Sequence, residues 1–570
     1  MTDHESLVRR SLAGTDAFDE RVRAQADRLT AALADGAFDN EAATLGLELE
    51  VYALDGEGED RTLAPIPDDV YDGPADKELG LHNAELNAAP SRFDDDGVAA
   101  QAAEIESDLA ATRERAREHG LEIVLDAMPA VPPAEGTHAY LDDVEVRGGD
   151  GADRGDSATD AERPVVVPGG DPDDPVLVAR NMRRDPRYGA LDNVAVRRAG
   201  GEIDFSVPGA ETGYRTILFE SLATSIQPHV QVPDPTAFPR YHNLATRTLG
   251  PLVALAANSP FLPGDCYGDV DDPERLVDET HHELRIAAFE QSMNQGCRKV
   301  RVPDDLDEPA GALEHVVADD SFAPFLQEWI EGEARSASDR ASGSTTREQT
   351  ADPRDGEASA EEAGVETEGQ KGGDPTSAAW EFDYKRGTFW RWVRGVAGGT
   401  AVDGACDERS LRIEYRPLPT QPTVRDIVGL QMLTAGLLEG LVAADHPLGD
   451  LPRADAERSF YAAVEDGLDA DLAWVTADGE RTSDSDAIFA EVFEYARRGL
   501  AEQGVDEATR DRYLDPVEAR WETGVTPSAW KKGRVREHLA DGADLERALA
   551  RMQGEYVELS REREHFAEWI

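Results

Sequence analysis

The chain has 570 residues and is extremely acidic, with 117 Asp and Glu against 57 Lys and Arg and a formal net charge of −60. Such a charge opposes binding to nucleic acid or to an anionic membrane, and it indicates adaptation to a high-salt cytoplasm, where salt screens the repulsion. We find no signal peptide and no apolar run near the roughly 18 residues of a membrane helix, so we expect a cytoplasmic protein. The three cysteines show no CxxC spacing, so we expect reduced thiols.

Hydrophobic periodicity predicts the first elements of the chain. A helical pattern at 5–36 is followed by an alternating strand at Gly46–Tyr52. A second short strand lies near Leu81–Asn87 and ends at Pro90. Another helix at Gly97–Glu118 then leads to a third strand at Glu122–Ala127. Because most of these strands are not separated by crossover helices, the order favours an α+β fold with antiparallel pairs.

Two segments interrupt the pattern. Residues 148–175 are rich in Gly, Asp and Pro and are predicted to be a surface insertion. Residues 332–377 contain almost no large apolar side chains, so we expect them to be a disordered insertion, since such a segment buries too little apolar area to offset its ordering entropy. From Val424 onward the chain is predicted to be largely helical, and it ends in a charged amphipathic tail at Asp506–Ile570.

The strand Gly46–Tyr52 carries the strongest chemical signal. Its alternation places Glu48 and Glu50 on one face and apolar residues on the other. Adjacent carboxylates repel each other unless a cation lies between them, and Mg²⁺ prefers such oxygen ligands. The alternative is a solvent-exposed strand face in a very acidic protein.

Three further segments place polar residues on one strand face. Glu85 lies in the second strand, and two later alternating segments carry His229 with Gln231 and Glu414 between Arg412 and Arg416. Carboxylate, imidazole, amide and guanidinium groups on neighbouring strands are typical of a polar cleft. The alternatives are a structural histidine and arginines that merely pair with surplus carboxylates.

These motifs, in this order, resemble those of glutamate–cysteine ligase family 2, which includes the bacterial carboxylate–amine ligases. The resemblance covers roughly Thr44 to Leu441 without the two insertions, and Glu522–Gly533 resembles the C-terminal signature of the carboxylate–amine ligases. It implies a glutamine-synthetase-like catalytic fold, with a curved antiparallel sheet, flanking helices and a helical C-terminal region. We therefore expect a catalytic domain over 1–445, interrupted by the two insertions, and a helical region over 446–570.

The resemblance also implies an activity and a set of site residues. The family phosphorylates a carboxylate, typically the γ-carboxylate of glutamate, and an amine then displaces the phosphate, with ATP and Mg²⁺ as cofactors. The positions that match its metal ligands are Glu48, Glu50, Glu78, Glu85, His229 and Glu414. Those that match catalytic or substrate- and ATP-binding residues are Glu85, Arg416, Arg187, Tyr188, Gln231 and Arg394.

Two departures from the family pattern stand out. Gln231 occupies the position of a second histidine, which leaves the substrate open, and Pro228 suggests that the His229 strand is an edge strand or contains a bulge. The sequence contains no GxxxxGK[ST] loop. We expect an ATP-dependent ligase that acts on small molecules, such as glutamate and an amino-acid amine; the alternatives are a non-catalytic nucleotide-binding or interaction relative and a metal-dependent hydrolase.

Overall fold

The computed structural model describes residues 3–148, 165–268, 270–330 and 379–570. Residues 149–164 of the first predicted insertion, and all of the predicted disordered insertion at 332–377, lie outside the described residues. The described remainder of the first insertion, 165–175, forms neither helix nor strand, as expected for a Gly-, Asp- and Pro-rich segment.

The described residues form one large sheet and three two-stranded sheets. The strands are β1 Thr44–Asp55, β2 Thr62–Leu63, β3 Asp76–Lys77, β4 Asn83–Arg92, β5 Leu121–Val124, β6 Val144–Arg147, β7 Val176–Ala179, β8 Ile203–Val207, β9 Ala210–Tyr214, β10 Ile226–Val232, β11 Val393–Ala397, β12 Leu411–Tyr415, β13 Trp474–Val475 and β14 Arg481–Thr482.

The large sheet has the order β11-β12-β10-β1-β4-β3, with β2 and β5 paired to the far end of β1. All of its strand pairs are antiparallel. Along β1 the burial pattern alternates, because Leu47, Leu49 and Val51 are buried while Glu48 and Glu50 are partly exposed on the other face. The predicted α+β fold class is therefore confirmed.

Helices surround this sheet. Those of the N-terminal half are α1 Asp3–Ala13, α2 Asp16–Ala34, α3 Asp95–Glu118, α4 Thr137–Leu141, α5 Pro186–Ala199, α6 Phe238–Ala256, α7 Pro273–Glu279, α8 Leu284–Met293 and α9 Gly311–Ala318. Those that follow are α10 Trp380–Arg386, α11 Val424–Ala443, α12 Arg453–Asp466, α13 Ser485–Glu502, α14 Glu507–Thr523, α15 Pro527–Ala540 and α16 Leu545–Glu562. Helices α3, α6 and α11 pack against the sheet.

Two predicted boundaries were wrong for local reasons. The single helix expected at 5–36 is split into α1 and α2, because Gly14 adopts a left-handed φ of 71° and Thr15 then caps α2 through its side chain. The second strand does not end at Pro90 but continues to Arg92, because the β1–β4 ladder shifts register at this point. A bulge accommodates a proline that a regular ladder would exclude.

The strand that contains Pro228 is not an edge strand, since β10 lies between β1 and β12. Its ladder with β12 ends at the His229–Glu414 pair, and pairing resumes one residue out of register at the Ser225–Pro419 bridge. Pro228 lies in this interruption, where its missing N–H costs no ladder hydrogen bond. The edge prediction was wrong, and the irregularity lies within a central strand.

One helix in the described residues, α11, is long and apolar enough on average to cross a membrane, although Arg425, Asp426 and Glu439 interrupt its apolar residues. However, 89% of its most apolar window is buried inside the protein, as in the core helix of a folded domain. Gln431 of this helix donates a hydrogen bond to the carbonyl of Gly46 on the apolar side of β1, at 3.1 Å. Helix α11 therefore forms part of the support behind the polar sheet face.

The C-terminal helices share one hydrophobic cluster with the sheet. Lys531 is buried and donates hydrogen bonds to Asp126 and to the carbonyl of Asn258, and Gln553 bonds Asp126 and the hydroxyl of Tyr52. These buried polar contacts join the last 50 residues to strand β1. The tail thus packs into the same core as the large sheet.

Candidate functional site

The polar face of the large sheet lines two cavities. The carboxylate cavity, of about 60 Å³, is lined by Glu50, Glu78, Glu220, Arg285, Trp392 and Arg416 among others. The histidine cavity, of about 160 Å³, is lined by Glu48, Asn87, His229, Gln231, Gly399 and Arg412 among others. Glu50 faces the first cavity and Glu48 faces the second. Both cavities lie on one side of the sheet, because side chains two residues apart share a strand face.

Three of the predicted metal ligands converge beside the carboxylate cavity. Each of Glu50, Glu78 and Glu85 offers an oxygen atom, and these oxygens all lie within 4.8 Å of one another. Glu50 and Glu85 are direct cross-strand partners on β1 and β4, whereas Glu78 follows the short edge strand β3. The structure thus brings Glu78, a loose match in the sequence, to the other two.

Hydrogen bonds hold Glu50 in place. Its carboxylate accepts bonds from the backbone N–H and the hydroxyl of Ser225, at 2.8 and 3.0 Å, and from the amide of Gln227 at 3.2 Å. The two residues that donate these bonds, Ser225 and Gln227, belong to the neighbouring β10 segment, so strand pairing fixes this carboxylate. The carboxylate oxygens of Glu50, Glu78 and Glu85 together fit as ligands of a hard divalent cation such as Mg²⁺.

Glu414 is paired with arginines in this structure. Its two oxygens accept hydrogen bonds from Arg394, at 2.8 Å, and from Arg416, at 2.6 Å. Burial acts to raise the pKa of Glu414, but the two guanidinium groups hold it well below its usual range. Arg416 also donates to Gln227 at 2.6 Å, so it links Glu414 to the residue that supports Glu50.

His229 lies between Glu48 and Arg412. The Nε of Arg412, which always donates, lies 3.0 Å from Nδ1 of His229, so Nδ1 accepts this bond and a neutral ring carries its proton on Nε2. Nε2 lies 3.4 Å from the nearer carboxylate oxygen of Glu48 and makes no hydrogen bond within the described residues. Metal ligation through Nε2 would require Arg412 to release the ring.

Gln231, like Nε2 of His229, leaves hydrogen-bonding capacity in the histidine cavity unused within the described residues. Its side chain is 2% exposed, and neither amide atom has a hydrogen-bond partner among the described residues. The Gly398–Gly399 turn lies against Arg412, because a Cβ at Gly399 would come within 2.7 Å of the guanidinium. The turn also lines the cavity through Gly399, which the sequence did not indicate.

The predicted pair Arg187 and Tyr188 lines neither cavity. Both residues belong to the first turn of α5, where the guanidinium of Arg187 lies 5.2 Å from the ring centre of Tyr384. Arg394 is buried beside Glu414 and also donates to the carbonyl of Arg386 at 3.0 Å. The structure therefore groups all of the predicted site residues except this pair around the two cavities.

Sequence analysis missed Arg285 and Glu220, which both line the carboxylate cavity. Arg285 belongs to α8 and is 4% exposed; its Nε lies 3.5 Å from Glu283 and makes no hydrogen bond within the described chain. Glu220 belongs to a 3-10 helix at Leu218–Leu222. Neither residue lies in an alternating strand, so periodicity gave no signal for them.

Comparison with known proteins identifies the family. The model of glutamate-cysteine ligase family 2 matches residues 44–556. A search of the curated proteins finds no match.

Two similar solved structures each share 13% sequence identity with this chain, at a TM-score of 0.43, over 92% of its length. One is a glutamate–cysteine ligase from Francisella tularensis in complex with AMP, of which 90% is covered. The other is a bifunctional glutathione synthetase from Pasteurella multocida. This chain spans about half of that longer protein, 53% of its length.

Proposed function

Because this chain belongs to glutamate-cysteine ligase family 2, we propose that it is an ATP- and Mg²⁺-dependent carboxylate–amine ligase. In this proposal the enzyme forms a γ-glutamyl amide through an acyl phosphate. The observation that carries the proposal is the convergence of Glu50, Glu78 and Glu85 next to the pair Glu414–Arg416. Carboxylates that hold a cation, next to a guanidinium, provide the charge neutralisation that phosphoryl transfer requires.

We assign the main cation site to Glu50, Glu78 and Glu85. The donor set consists of oxygens alone, which suits Mg²⁺, and a bound ion would neutralise charge on phosphate oxygens. Glu48, His229 and Glu414 remain a proposed second group. They satisfy that role only if Arg412 and Arg394 give up their present bonds to His229 and Glu414.

Arg416 is proposed to stabilise the transferred phosphoryl group. It lies beside both the cation site and the second group, and its guanidinium supplies a permanent charge with several donors in one plane. Its present bonds to Glu414 and Gln227 fix its orientation, so little reorganisation is needed during transfer. Arg394 acts as a positioning residue as long as the second group holds no cation, because it then holds Glu414 from the other side.

We propose that each of the two cavities binds a different substrate. We assign the nucleotide to the histidine cavity, where Gln231 offers both a donor and an acceptor and Arg412 adds positive charge. We assign the amino acid that is activated to the carboxylate cavity. There the buried guanidinium of Arg285 is a suitable partner for a substrate carboxylate. Arg187 and Tyr188 remain proposed substrate contacts from outside the two cavities.

We also propose that 1–445 forms the catalytic unit, that 446–570 supports it from behind, and that the enzyme works in the cytoplasm. The substrates are then small molecules: ATP, glutamate or a similar carboxylate, and an amino-acid amine. The buried contacts of Lys531 and Gln553 with Asp126 support the role of the C-terminal region.

The decisive experiment is to measure ADP release from Mg-ATP with full-length protein, with and without glutamate and with a panel of amino-acid amines. A ligase should release ADP only when both the carboxylate and an amine are present, and mass spectrometry should detect one amide for each ADP. A non-catalytic relative would bind Mg-ATP without turnover, and a hydrolase would cleave ATP or an amide without coupling. Either of these results would contradict the proposal.

A further inference from the structure

The carboxylate cavity contains one carboxylate that the proposed cation site does not use. Glu220 lines the cavity together with Glu50 and Glu78 but does not belong to the three-carboxylate group. Carboxylates crowded into one cavity repel one another unless a positive group separates them. A fourth carboxylate at this place therefore needs its own explanation.

The backbone that carries Glu220 is held rigidly. Nε2 of His82 and the amide of Asn83 both donate to the carbonyl of Ser221, each at 2.9 Å. At the start of the same 3-10 helix, the carboxylate of Asp192 accepts a bond from the N–H of Ile217 at 2.8 Å. Groups fixed by such supporting contacts have the precision that a binding site requires.

The side chain of Glu220 is fixed as well. The hydroxyl of Ser292 lies 2.6 Å from Glu220 and 3.0 Å from the carbonyl of Phe289. Since a hydroxyl has one proton, Ser292 donates either to an ionised Glu220 or to the carbonyl while a protonated Glu220 donates to it. The contact is therefore compatible with both forms of the carboxyl group.

Burial raises the pKa of Glu220 to about 8, and the negative charges of Glu50 and Glu78 act in the same direction. A positive group that enters the cavity would favour the ionised form. An ionised Glu220 in this cavity is therefore stabilised by a cation that enters beside it.

The other charged groups of the cavity are already engaged. Glu50 and Glu78 belong to the proposed cation site, and Arg416 bonds Glu414 and Gln227. The positive charge of Arg285 suits a carboxylate of an amino acid and repels its ammonium group. Glu220 is therefore the group that remains to bind the positive end of a zwitterionic amino acid.

We propose that Glu220 binds the ammonium group of the amino acid that is activated, with Ser292 as its positioning residue, and so selects amino acids over plain dicarboxylic acids. This inference rests on the proposed function. It adds a residue to the site that determines which class of carboxylate the enzyme accepts.

The test compares L-glutamate with glutarate, which has the same carboxylates and carbon chain but no ammonium group. Their affinities are measured by calorimetry on full-length wild type, Glu220→Gln and Ser292→Ala in the presence of Mg²⁺. Wild type should prefer glutamate. Glu220→Gln should weaken glutamate binding by a factor of about 10 to 100, as expected for one lost hydrogen bond to a charged group, and should leave glutarate binding unchanged or tighter.

Ser292→Ala should reduce the preference in the same direction but by less. The matched control is Glu439→Gln, which alters a buried carboxylate elsewhere, bonded to Tyr241 and Gln503 and outside both cavities. This control should keep the wild-type preference, and thermal unfolding of each variant checks that it is folded.

Three outcomes would overturn the inference. A wild-type preference that survives in Glu220→Gln contradicts it alone and leaves the ligase proposal intact. An equal loss of affinity for both ligands in a folded Glu220→Gln shows a general defect of the cavity instead of ammonium recognition. If wild type binds neither ligand and releases no ADP with any amine, the proposed function itself is wrong, and this inference fails with it.

Discussion

The two cavities on the polar sheet face differ in how far the protein satisfies its own polar groups. In the carboxylate cavity, Glu50 accepts bonds from Ser225 and Gln227, and Arg416 donates to two acceptors. In the histidine cavity, both amide atoms of Gln231 and Nε2 of His229 have no hydrogen-bond partner within the described residues. In the carboxylate cavity, Nε of Arg285, Nε of Arg416 and Oδ1 of Asn83 also have no partner within the described residues, but each of these side chains makes another hydrogen bond. The first cavity is therefore largely organised in advance, whereas the second leaves a whole amide group for a ligand to satisfy.

This difference has a physical meaning. A buried polar atom without a partner costs about 1–3 kcal/mol, which a ligand recovers on binding. A pre-organised group costs nothing further when charge develops beside it. We therefore expect substitutions in the carboxylate cavity to affect turnover and substitutions in the histidine cavity to affect nucleotide affinity. The following predictions test this distinction.

The largest expected effect follows from Glu85→Gln. The change removes one of three oxygen donors of the proposed cation site, so turnover should fall by a factor of about 100 or more, and activity should require more Mg²⁺. The measurement is steady-state ADP release over a Mg²⁺ titration. Glu211→Gln, on an exposed position of β9, is the matched control and should behave as wild type. Normal turnover of Glu85→Gln at ordinary Mg²⁺ would exclude this cation site.

Gln231→Leu should have two smaller effects, one on nucleotide binding and one on the free energy of unfolding. Loss of the amide should weaken nucleotide binding about tenfold, whereas the free energy of unfolding should stay the same or rise, because the amide has no hydrogen-bond partner among the residues that the structure describes. Titration calorimetry with Mg-ATP and chemical unfolding measure the two quantities.

Gln431→Leu serves as the matched control for this pair of effects, because Gln431 bonds the carbonyl of Gly46 and the side chain of Gln101 on the other side of the sheet. It should lower stability and leave nucleotide affinity unchanged. If Gln231→Leu destabilises the protein as much as this control does, Gln231 has a structural role.

The last expected effect is on the pH dependence of stability and concerns Asp192, which supports the 3-10 helix of Glu220. Burial raises the pKa of Asp192 to about 7, so the folded state keeps a proton that the unfolded chain releases near its ordinary pKa of about 4. The free energy of unfolding should therefore fall as pH rises between these values, by roughly 1–3 kcal/mol. Asp192→Asn should flatten this dependence in chemical unfolding measured from pH 4 to 8. An identical pH dependence in both proteins would contradict this account.

The sequence by itself determined the elements with simple periodicity and the residues that lie on them. Alternation in β1 required Glu48 and Glu50 to share a face, and the same rule placed His229 with Gln231 and Glu414 with Arg416. Strand geometry makes such statements local, since they depend only on residues two positions apart. The α+β class followed from the order of these elements, because most of the strands are not separated by crossover helices.

Only the tertiary structure decided which groups meet. The approach of Glu78 to Glu50 and Glu85, the pairing of Glu414 with Arg394 and the entry of Glu220 and Arg285 into one cavity depend on contacts between separate elements of the chain. Helices and 3-10 turns aim such residues by packing, which leaves no repeating pattern in the sequence. Pairing order has the same origin: Pro228 suggested either an edge strand or a bulge, and only the neighbours on both sides show that β10 is central and that the irregularity lies within it. Contacts between distant segments are set by the whole core, so local rules cannot supply them.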